Sequence, residues 1–507
     1  MKSLSDNTSI IKNTSLFSGS TYISQGMFFI RGLLNARFLG PVLYGLWSGL
    51  NIILNYSSYL HLGVVNAMNR EIPYYKGKGA SSDIIKVRDT AFTVCLMMNL
   101  TAFFILLGVA FLFHKRFNRE ETLGLVTIAF LILIGSIHEF YQTLLISLKR
   151  FMLVSKASVI FSFFSIVVTL FLVPFIKIYG VYIVAILIPL VYFIYLFIKE
   201  PYQLKMRFDL KETLRLIKIG LPLISSDFLS SFTISIAGII VFSFLGKEAM
   251  GYYAVAMLAS RFLVYLPNSV IRIFEPYIYQ RYGETEDIVG LKKYLFKPTF
   301  IMAFLFPIVM AYYYIMTTFF IRHFLPRYYP SIIPFFIILI GRFFTSFSPT
   351  TQIFITAINK QRYLLPIYIA GALIMAVASL VFINMGFGII GVSLGLLLSF
   401  FFTGVVIFIF ATIHYLKSLF RCLGNLFILS MPFLYIMFVL IISDIIIPYS
   451  KDIVVDIGRS TFKLCILTLF SLPLAIIVEH KTSLIGELIR FLNPVRFIRT
   501  MHSIEAW

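Results

Sequence analysis

Fourteen apolar stretches, each long enough to cross a hydrocarbon core, run the length of this chain and dictate most of what it can fold into. A helix rising 1.5 Å per residue needs roughly 20 apolar residues to span about 30 Å of hydrocarbon. The stretches are 16–39, 44–65, 91–113, 123–148, 151–173, 181–198, 219–245, 252–274, 300–320, 332–354, 364–383, 389–413, 426–447 and 462–478. The eleventh and twelfth form one apolar run, divided at Asn384-Met385-Gly386-Phe387-Gly388, a turn signal. The last, with Lys463 at its start, is the least secure of the set. The first run is too long for a secretory h-region and follows a polar lead, so no cleavable signal is expected. In lipid, backbone polar groups must be satisfied within the segment, so the expected fold is an all-α integral membrane protein with 14 transmembrane helices.

Composition closes off the alternatives. Of 507 residues, 59% are apolar and 13% charged, whereas soluble domains carry about 25% charged residues. A soluble globular protein is excluded. The longest charged connection, Lys199–Lys218, leaves no room for a catalytic domain outside the membrane. The run Gly246-Lys247-Glu248-Ala249-Met250-Gly251 has the glycine spacing of a phosphate loop, but Tyr252-Tyr253 follows where Lys and Ser or Thr are needed, which argues against ATP hydrolysis. Cys95, Cys422 and Cys465 are far apart and lack CxxC spacing. Neither a disulfide framework nor a metal site is expected, and no cofactor.

The net charge of +21 would point to nucleic acid in a soluble chain. In a membrane chain it reports topology instead. With both termini cytoplasmic, the inside segments hold 28 basic residues and the outside loops 10. Arg70, Lys76, Lys78, Lys86 and Arg88 after the second span are examples. The tail 485–501 sets Arg490, Arg496 and Arg499 among Leu488, Phe491 and Phe497, the pattern of an interfacial amphipathic helix.

An internal repeat is also legible. Phe38-Leu39-Gly40 ends the first span and Gly45 opens the second; Phe244-Leu245-Gly246 ends the seventh and Gly251 opens the eighth, 206 residues on. A weaker echo links Leu148-Lys149-Arg150-Phe151 with Asn359-Lys360-Gln361-Arg362-Tyr363. Six spans per repeat is an even number, so the halves share one orientation and are related by an axis along the membrane normal. The expected organisation is a six-helix lobe at 1–205, a second at 206–415, two appended helices at 416–480 and a cytoplasmic tail at 481–507.

The remaining five basic residues lie within spans: Arg31, Arg37, Arg261, Arg272 and Arg342. A central arginine costs about 2.5–3.5 kcal/mol on insertion scales, so such charges face a partner or a wet cavity. At 100° per residue, Ser24, Arg31 and Asn35 share an arc of about 40°, and Ser48, Asn51, Asn55 and Ser58 one of about 80°. Arg261, Asn268, Arg272 and Glu275 fall within about 60°, with Tyr265 beside them. These stripes predict an electropositive cavity. The plainer readings are snorkelling for Arg37 and Arg272, an ion pair of Asp227 with Arg261, and hydrogen-bond glue for the Ser and Asn stripes. His138, Glu139 and Gln142 have the makings of a proton relay, although a satisfied buried cluster is the expectation. Asp444, near a span end, is uninformative. Arginine's planar fork suits phosphates and carboxylates, so the substrate should be anionic, and the two appended helices would suit a lipid tail.

Ala36-Arg37-Phe38-Leu39-Gly40-Pro41-Val42-Leu43-Tyr44-Gly45-Leu46-Trp47 resembles the hinge of the polysaccharide-transport branch of the multidrug/oligosaccharidyl-lipid/polysaccharide exporter superfamily. Leu62-Gly63, Arg70-Glu71-Ile72-Pro73 and Lys76-Gly77-Lys78 resemble the inner end of its second helix. The resemblance implies a flippase, similar to O-antigen and lipid II flippases, in a bacterial inner membrane. It would move undecaprenyl-pyrophosphate-linked oligosaccharide outward between two rocking lobes, with membrane lipids and polysaccharide polymerase machinery as its surroundings and no nucleic acid. Arg31 and Arg261 would then hold the pyrophosphate with Arg342 in support, Arg37 would serve the outer gate, and helices thirteen and fourteen would cradle the prenyl chain. Asp227 departs from an all-cationic site and would need neutralising, or would couple the cycle to Na⁺ or H⁺. The competing readings are a multidrug extrusion antiporter, whose cavity would rely on acids, and a membrane polymerase or ligase, which would carry a large outer loop.

Overall fold

The computed structural model describes residues 2–285, 292–358 and 360–482. Every regular element among them is helical: α1 (Lys2–Ser57), α2 (Val64–Gly77), α3 (Ser81–Leu112), α4 (Arg119–Ser147), α5 (Phe151–Ile176), α6 (Ile178–Lys199), α7 (Leu210–Ile240), α8 (Gly246–Thr285), α9 (Lys292–Phe324), α10 (Ile332–Thr345), α11 (Ser348–Ala357), α12 (Leu364–Asn384), α13 (Gly388–Leu416), α14 (Leu419–Ile446) and α15 (Ile453–Thr482). Each of the fourteen predicted spans falls on this helical framework. The predicted tail helix 485–501 lies outside the described residues.

Eleven helices among the described residues are long and apolar enough to cross a membrane. Two of them, Gly19–Ser57 and Phe228–Tyr265, have 39 and 38 residues. At 1.5 Å per residue each is about 57–58 Å long, nearly twice the hydrocarbon thickness. Each therefore carries two of the predicted spans, joined by a bend where a loop was expected. The bends are the two repeat glycines. Gly40 has φ 73° and ψ 173°, and Gly246 has φ 84° and ψ −177°, a region open essentially to glycine alone. Pro41 follows the first and has no N–H to lose. The second is preceded by a π-helical turn, Val241–Leu245, which loosens the helix before it bends.

Three boundaries differ from expectation. The second span ends at a break over Leu62 (φ 50°) and Gly63 (φ 79°). The Gly63 N–H there donates to His61 Nδ1 at 3.0 Å, and α2 is a separate short helix. The tenth span is two helices, α10 and α11. The fourteenth, α15, is not among the eleven.

The chain forms two compact units, Met1–Phe262 with Ala376–Val392, and Leu263–Met375 with Ser393–Trp507. In the first, Val64, Met68 and Ile72 of α2 pack on Ala91 and Val94 of α3, Phe140 and Leu144 of α4, and Leu216 of α7. An ionic network covers this cluster. Arg215 Nη1 donates to Glu71 Oε2 at 2.7 Å and Nη2 to Glu212 Oε1 at 2.7 Å. Lys86 Nζ lies 2.9 Å from Asp209 Oδ2, and Arg88 Nη2 donates to the Gln203 carbonyl at 2.8 Å. The connection after α6 and the start of α7 are thus fastened to α2 and α3. Asp209 caps α7 by accepting the Glu212 N–H; that bond, with Lys86 beside it, holds its carboxyl below the ordinary carboxylate range. Hydrogen bonds to Glu212 and Glu71 raise Arg215 above the usual guanidinium value.

In the second unit, α9 packs on α14 and α15. Lys463 is wholly buried, yet its Nζ lies 2.6 Å from Asp444 Oδ1 and 3.5 Å above the Tyr449 ring. The lysine that weakens the fourteenth span in the sequence is therefore paired from the thirteenth, and Asp444, uninformative in sequence, is its partner. Beside it, His323 Nε2 meets the buried Asp456 Oδ2 at 2.8 Å.

Candidate functional site

The first unit holds a half-open cavity of about 590 Å³, walled by α1, the Val65 side of α2, α3, α4, α5 and α6. Helical spacing builds its polar lining. Ser24, Phe28 and Arg31 come from α1 before the Gly40 bend, and Trp47, Asn51, Ser58 and His61 lie beyond it. Asn99 joins them from α3, Glu139 and Gln142 from α4, and Ser158 and Tyr192 from α5 and α6. Arg31 has Phe28 under its guanidinium, 5.2 Å from the ring centroid. Asn51 Nδ2 donates back to the Trp47 carbonyl at 2.7 Å and Asn99 Nδ2 to the Cys95 carbonyl at 2.8 Å. Among the described residues the amide oxygen is uncommitted in each case. The Tyr192 hydroxyl bonds Ser158 Oγ at 2.8 Å, and the His138 ring stands 4.5 Å from the Tyr192 ring.

The predicted site residues divide. Arg31 and Asn51 line the cavity. Arg261 does not; it is exposed. Both arginines nevertheless lie within electrostatic reach of the buried Tyr44, the tyrosine of the hinge motif. Asn35 is buried, with its Oδ1 unpartnered. Ser48 is half-buried, and Asn55 and Arg37 are exposed; none of these four lines the cavity. In the second unit Arg342 is buried, its guanidinium 4.7 Å from the Phe400 ring centroid, and Tyr265 and Asn268 are half-buried. The side chains of Asp227 and Arg272 lie outside those described.

His138, Glu139 and Gln142, which in the sequence have the makings of a proton relay, are expected to satisfy one another in a buried cluster. Among the described residues they do not. All three line the cavity, Glu139 makes no ion pair or hydrogen bond and is exposed, and His138 Nε2 has no partner. A single sequence could not decide this, because helical periodicity says which residues share a face and not whether that face meets packing or space. The cavity therefore holds one permanent cation, Arg31, and one carboxylate. Among the described residues no group of three or more His, Cys, Asp or Glu could hold a metal ion.

The two hinges pack against each other within this unit. A Cβ on Gly45 would run into the Lys247 carbonyl, and a Cβ on Gly251 into the Pro41 carbonyl. Pro41 and Lys247 each stand one residue after a bend glycine, and Gly45 and Gly251 five. The contact is reciprocal, as contacts across a two-fold axis are. Lys247 Nζ also pairs with Glu121 of α4.

Residues 34–277 match the family described as polysaccharide biosynthesis protein. No curated protein matches the sequence significantly. Among solved structures, an inward-facing multidrug resistance MATE family transporter of the MOP superfamily superposes with TM-score 0.68 at 14% identity, covering 78% of this chain and 96% of that one. The lipid II flippase MurJ, in an inward closed conformation, gives 0.67 at 15% identity and covers 92% and 99%. A MOP superfamily transporter from Pyrococcus furiosus gives 0.56 at 15%, covering 80% and 96%. The fold is that of this transporter superfamily.

Proposed function

We propose that this chain, whose residues 34–277 match the polysaccharide biosynthesis protein family and whose fold is that of the MATE transporter and the MurJ flippase, is a polysaccharide-transport protein of the multidrug/oligosaccharidyl-lipid/polysaccharide exporter superfamily and a flippase for lipid-linked anionic oligosaccharide. The observation that carries the reading is Arg31, a permanent cation in the middle of an apolar helix that opens onto a cavity. A structural arginine would be buried against a partner or would snorkel to the headgroups. One that faces open space supplies a planar donor fork to a phosphate or carboxylate that enters.

In this reading the substrate is an undecaprenyl-pyrophosphate-linked unit of a surface polysaccharide such as O-antigen, moved from the inner to the outer leaflet of a bacterial cell membrane. Fourteen crossings leave both termini cytoplasmic. The lobes 1–205 and 206–415 rock about the reciprocal glycine hinges, which then lie at the outer face, and residues 416–480 cradle the prenyl chain. Arg31 and Arg261, each within electrostatic reach of Tyr44, hold the pyrophosphate. Arg342, packed over Phe400, supports from within its own unit.

A multidrug extrusion antiporter is the second reading, favoured by one observation, the carboxylate of Glu139 in the cavity. The test is glycan export by Arg31→Ala and Arg261→Ala variants whose amounts in the membrane match the parent. Export should be abolished in both. Full export by both, or drug resistance conferred by the chain with no effect on lipid-linked glycan, overturns the flippase reading. In cells lacking the chain, the glycan should accumulate lipid-linked in the inner leaflet; short unpolymerised chains already outside would indicate a polymerase instead.

A further inference from the structure

We infer that Arg322, at the end of α9, is the centre of a phosphate-binding site formed with the end of α14 and the start of α15. The site lies in the second unit and goes beyond the flippase reading, from which it takes only the topology. Arg322 is half-buried, and among the described residues it makes no ion pair and no hydrogen bond. Its Nε is buried without a partner, while its two terminal nitrogens, equally unpartnered, keep accessible surface. What holds the guanidinium is aromatic. It lies 4.2 Å from the Tyr449 ring centroid and 5.0 Å from that of Tyr329. Neither ring supplies an oxygen to the fork, and the Tyr449 hydroxyl is itself buried and unpartnered.

The three carboxylates at this end of the unit are committed elsewhere. Asp444 takes Lys463 Nζ at 2.6 Å. Asp456 meets His323 Nε2 at 2.8 Å and accepts the Ser450 N–H at 2.7 Å. Asp452 accepts the Val454 N–H at 2.8 Å, at the start of α15. Further positive charge stands close by. Lys463 Nζ is 3.5 Å from the same Tyr449 ring, and Arg459 Nη1 donates to the Pro448 carbonyl, one residue before that tyrosine. A half-buried cation whose neighbouring acids are all taken draws its counter-ion from outside the chain. A planar fork held between rings, with its terminal N–H groups accessible, suits phosphate oxygens. The setting suits a phosphate carried on a lipid. α14 ends in exposed Ile445 and Ile446, and α15 begins with exposed Ile453 and Val454. Tyrosine and arginine beside exposed aliphatic side chains are the make-up of a membrane interface. In the proposed topology the ninth and thirteenth spans end at the outer face, so the headgroup belongs to the outer leaflet. Dissolved phosphate offers the same chemistry, and the experiment separates the two sources.

The test uses the full-length protein purified in detergent, with its melting temperature as the readout. Three probes are titrated: dioleoylphosphatidylglycerol, a dioleoyl galactolipid that lacks phosphate, and inorganic phosphate. Phosphatidylglycerol should raise the melting temperature of the parent, and the galactolipid should not. In Arg322→Gln, which loses the charge-assisted hydrogen bonds, the phosphatidylglycerol needed for half the shift should rise at least about tenfold. Tyr329→Ala, at an exposed position, should raise it about two- to fivefold, and it carries the test should Arg322→Gln fail to fold. A shift with inorganic phosphate alone assigns the site to dissolved phosphate; a shift with phosphatidylglycerol and none with inorganic phosphate assigns it to the headgroup. A galactolipid as effective as phosphatidylglycerol, no response to either phosphate probe, or equal responses in the parent and both variants overturns the inference. Arg31 belongs to the other unit, so the flippase reading stands or falls on its own experiment.

Discussion

Gly251 sits against the carbonyl of Pro41 with no space for a side chain, and Gly45 meets the Lys247 carbonyl in the same way. Each glycine lies five residues beyond a bend glycine of one repeat, and each carbonyl one residue beyond the bend of the other. A bulky side chain at either position must push the hinges apart. Overpacking a close contact costs about 1–3 kcal/mol, and 1.4 kcal/mol is a factor of ten in an equilibrium. Gly251→Val and Gly45→Val should each lower glycan export at least about tenfold at unchanged protein amount. Unimpaired export by both would show that closure here is not part of the cycle.

Glu71, in the Arg70-Glu71-Ile72-Pro73 motif, has an 8% exposed side chain and takes its hydrogen bond from the 35% exposed Arg215. Arg215→Ala leaves that carboxylate buried without its cation. Losing one partner of a buried pair costs about 3–5 kcal/mol, and the half-open position of Arg215 reduces this to about 1–3 kcal/mol. The melting temperature in detergent should fall, and the double variant Glu71→Gln with Arg215→Ala should recover part of it, since Glu212 loses Arg215 as well. A double variant no more stable than Arg215→Ala would mean the pair itself matters little.

The Asp209 carboxyl is held below its ordinary range by the Glu212 N–H and Lys86. A depressed carboxyl contributes stability that is complete above its unfolded value, about 3.9, and is lost as pH falls through the lower folded value. Amide protection in the first turn of α7 should therefore hold from neutrality down to about pH 4 and decline below it. Lys86→Met should move the decline to higher pH. Protection lost already near neutrality would contradict the assignment.

Lys463 is buried and its partner Asp444 is 26% exposed. Asp444→Asn leaves a cation stranded among apolar helices, at a cost of about 3 kcal/mol. Loss of folded protein in the membrane is the expected result, with Lys463→Met added to Asp444→Asn restoring it. Equal amounts of the single and double variants would show that Lys463 reaches water by another route.

Sequence by itself determined the elements and their repeat. An apolar run of about 20 residues has one low-energy arrangement in lipid, a helix with its backbone bonds internal, so spans such as 91–113 and 389–413 were legible from length alone. The Phe-Leu-Gly hinges were legible because few residues other than glycine adopt the backbone found at Gly40 and Gly246. Periodicity placed Arg31 and Asn51 on polar stripes. Only the tertiary structure decided which stripes meet space. It set Arg31 on a cavity and left Asn55 exposed elsewhere, buried Arg342 over Phe400, paired Lys463 with Asp444, and opened Glu139 to the cavity. The reason is physical: the cost of an intramembrane charge depends on what lies within a few ångströms of it, and those neighbours come from other helices, 19 positions away for Asp444 and Lys463 and 58 for Arg342 and Phe400.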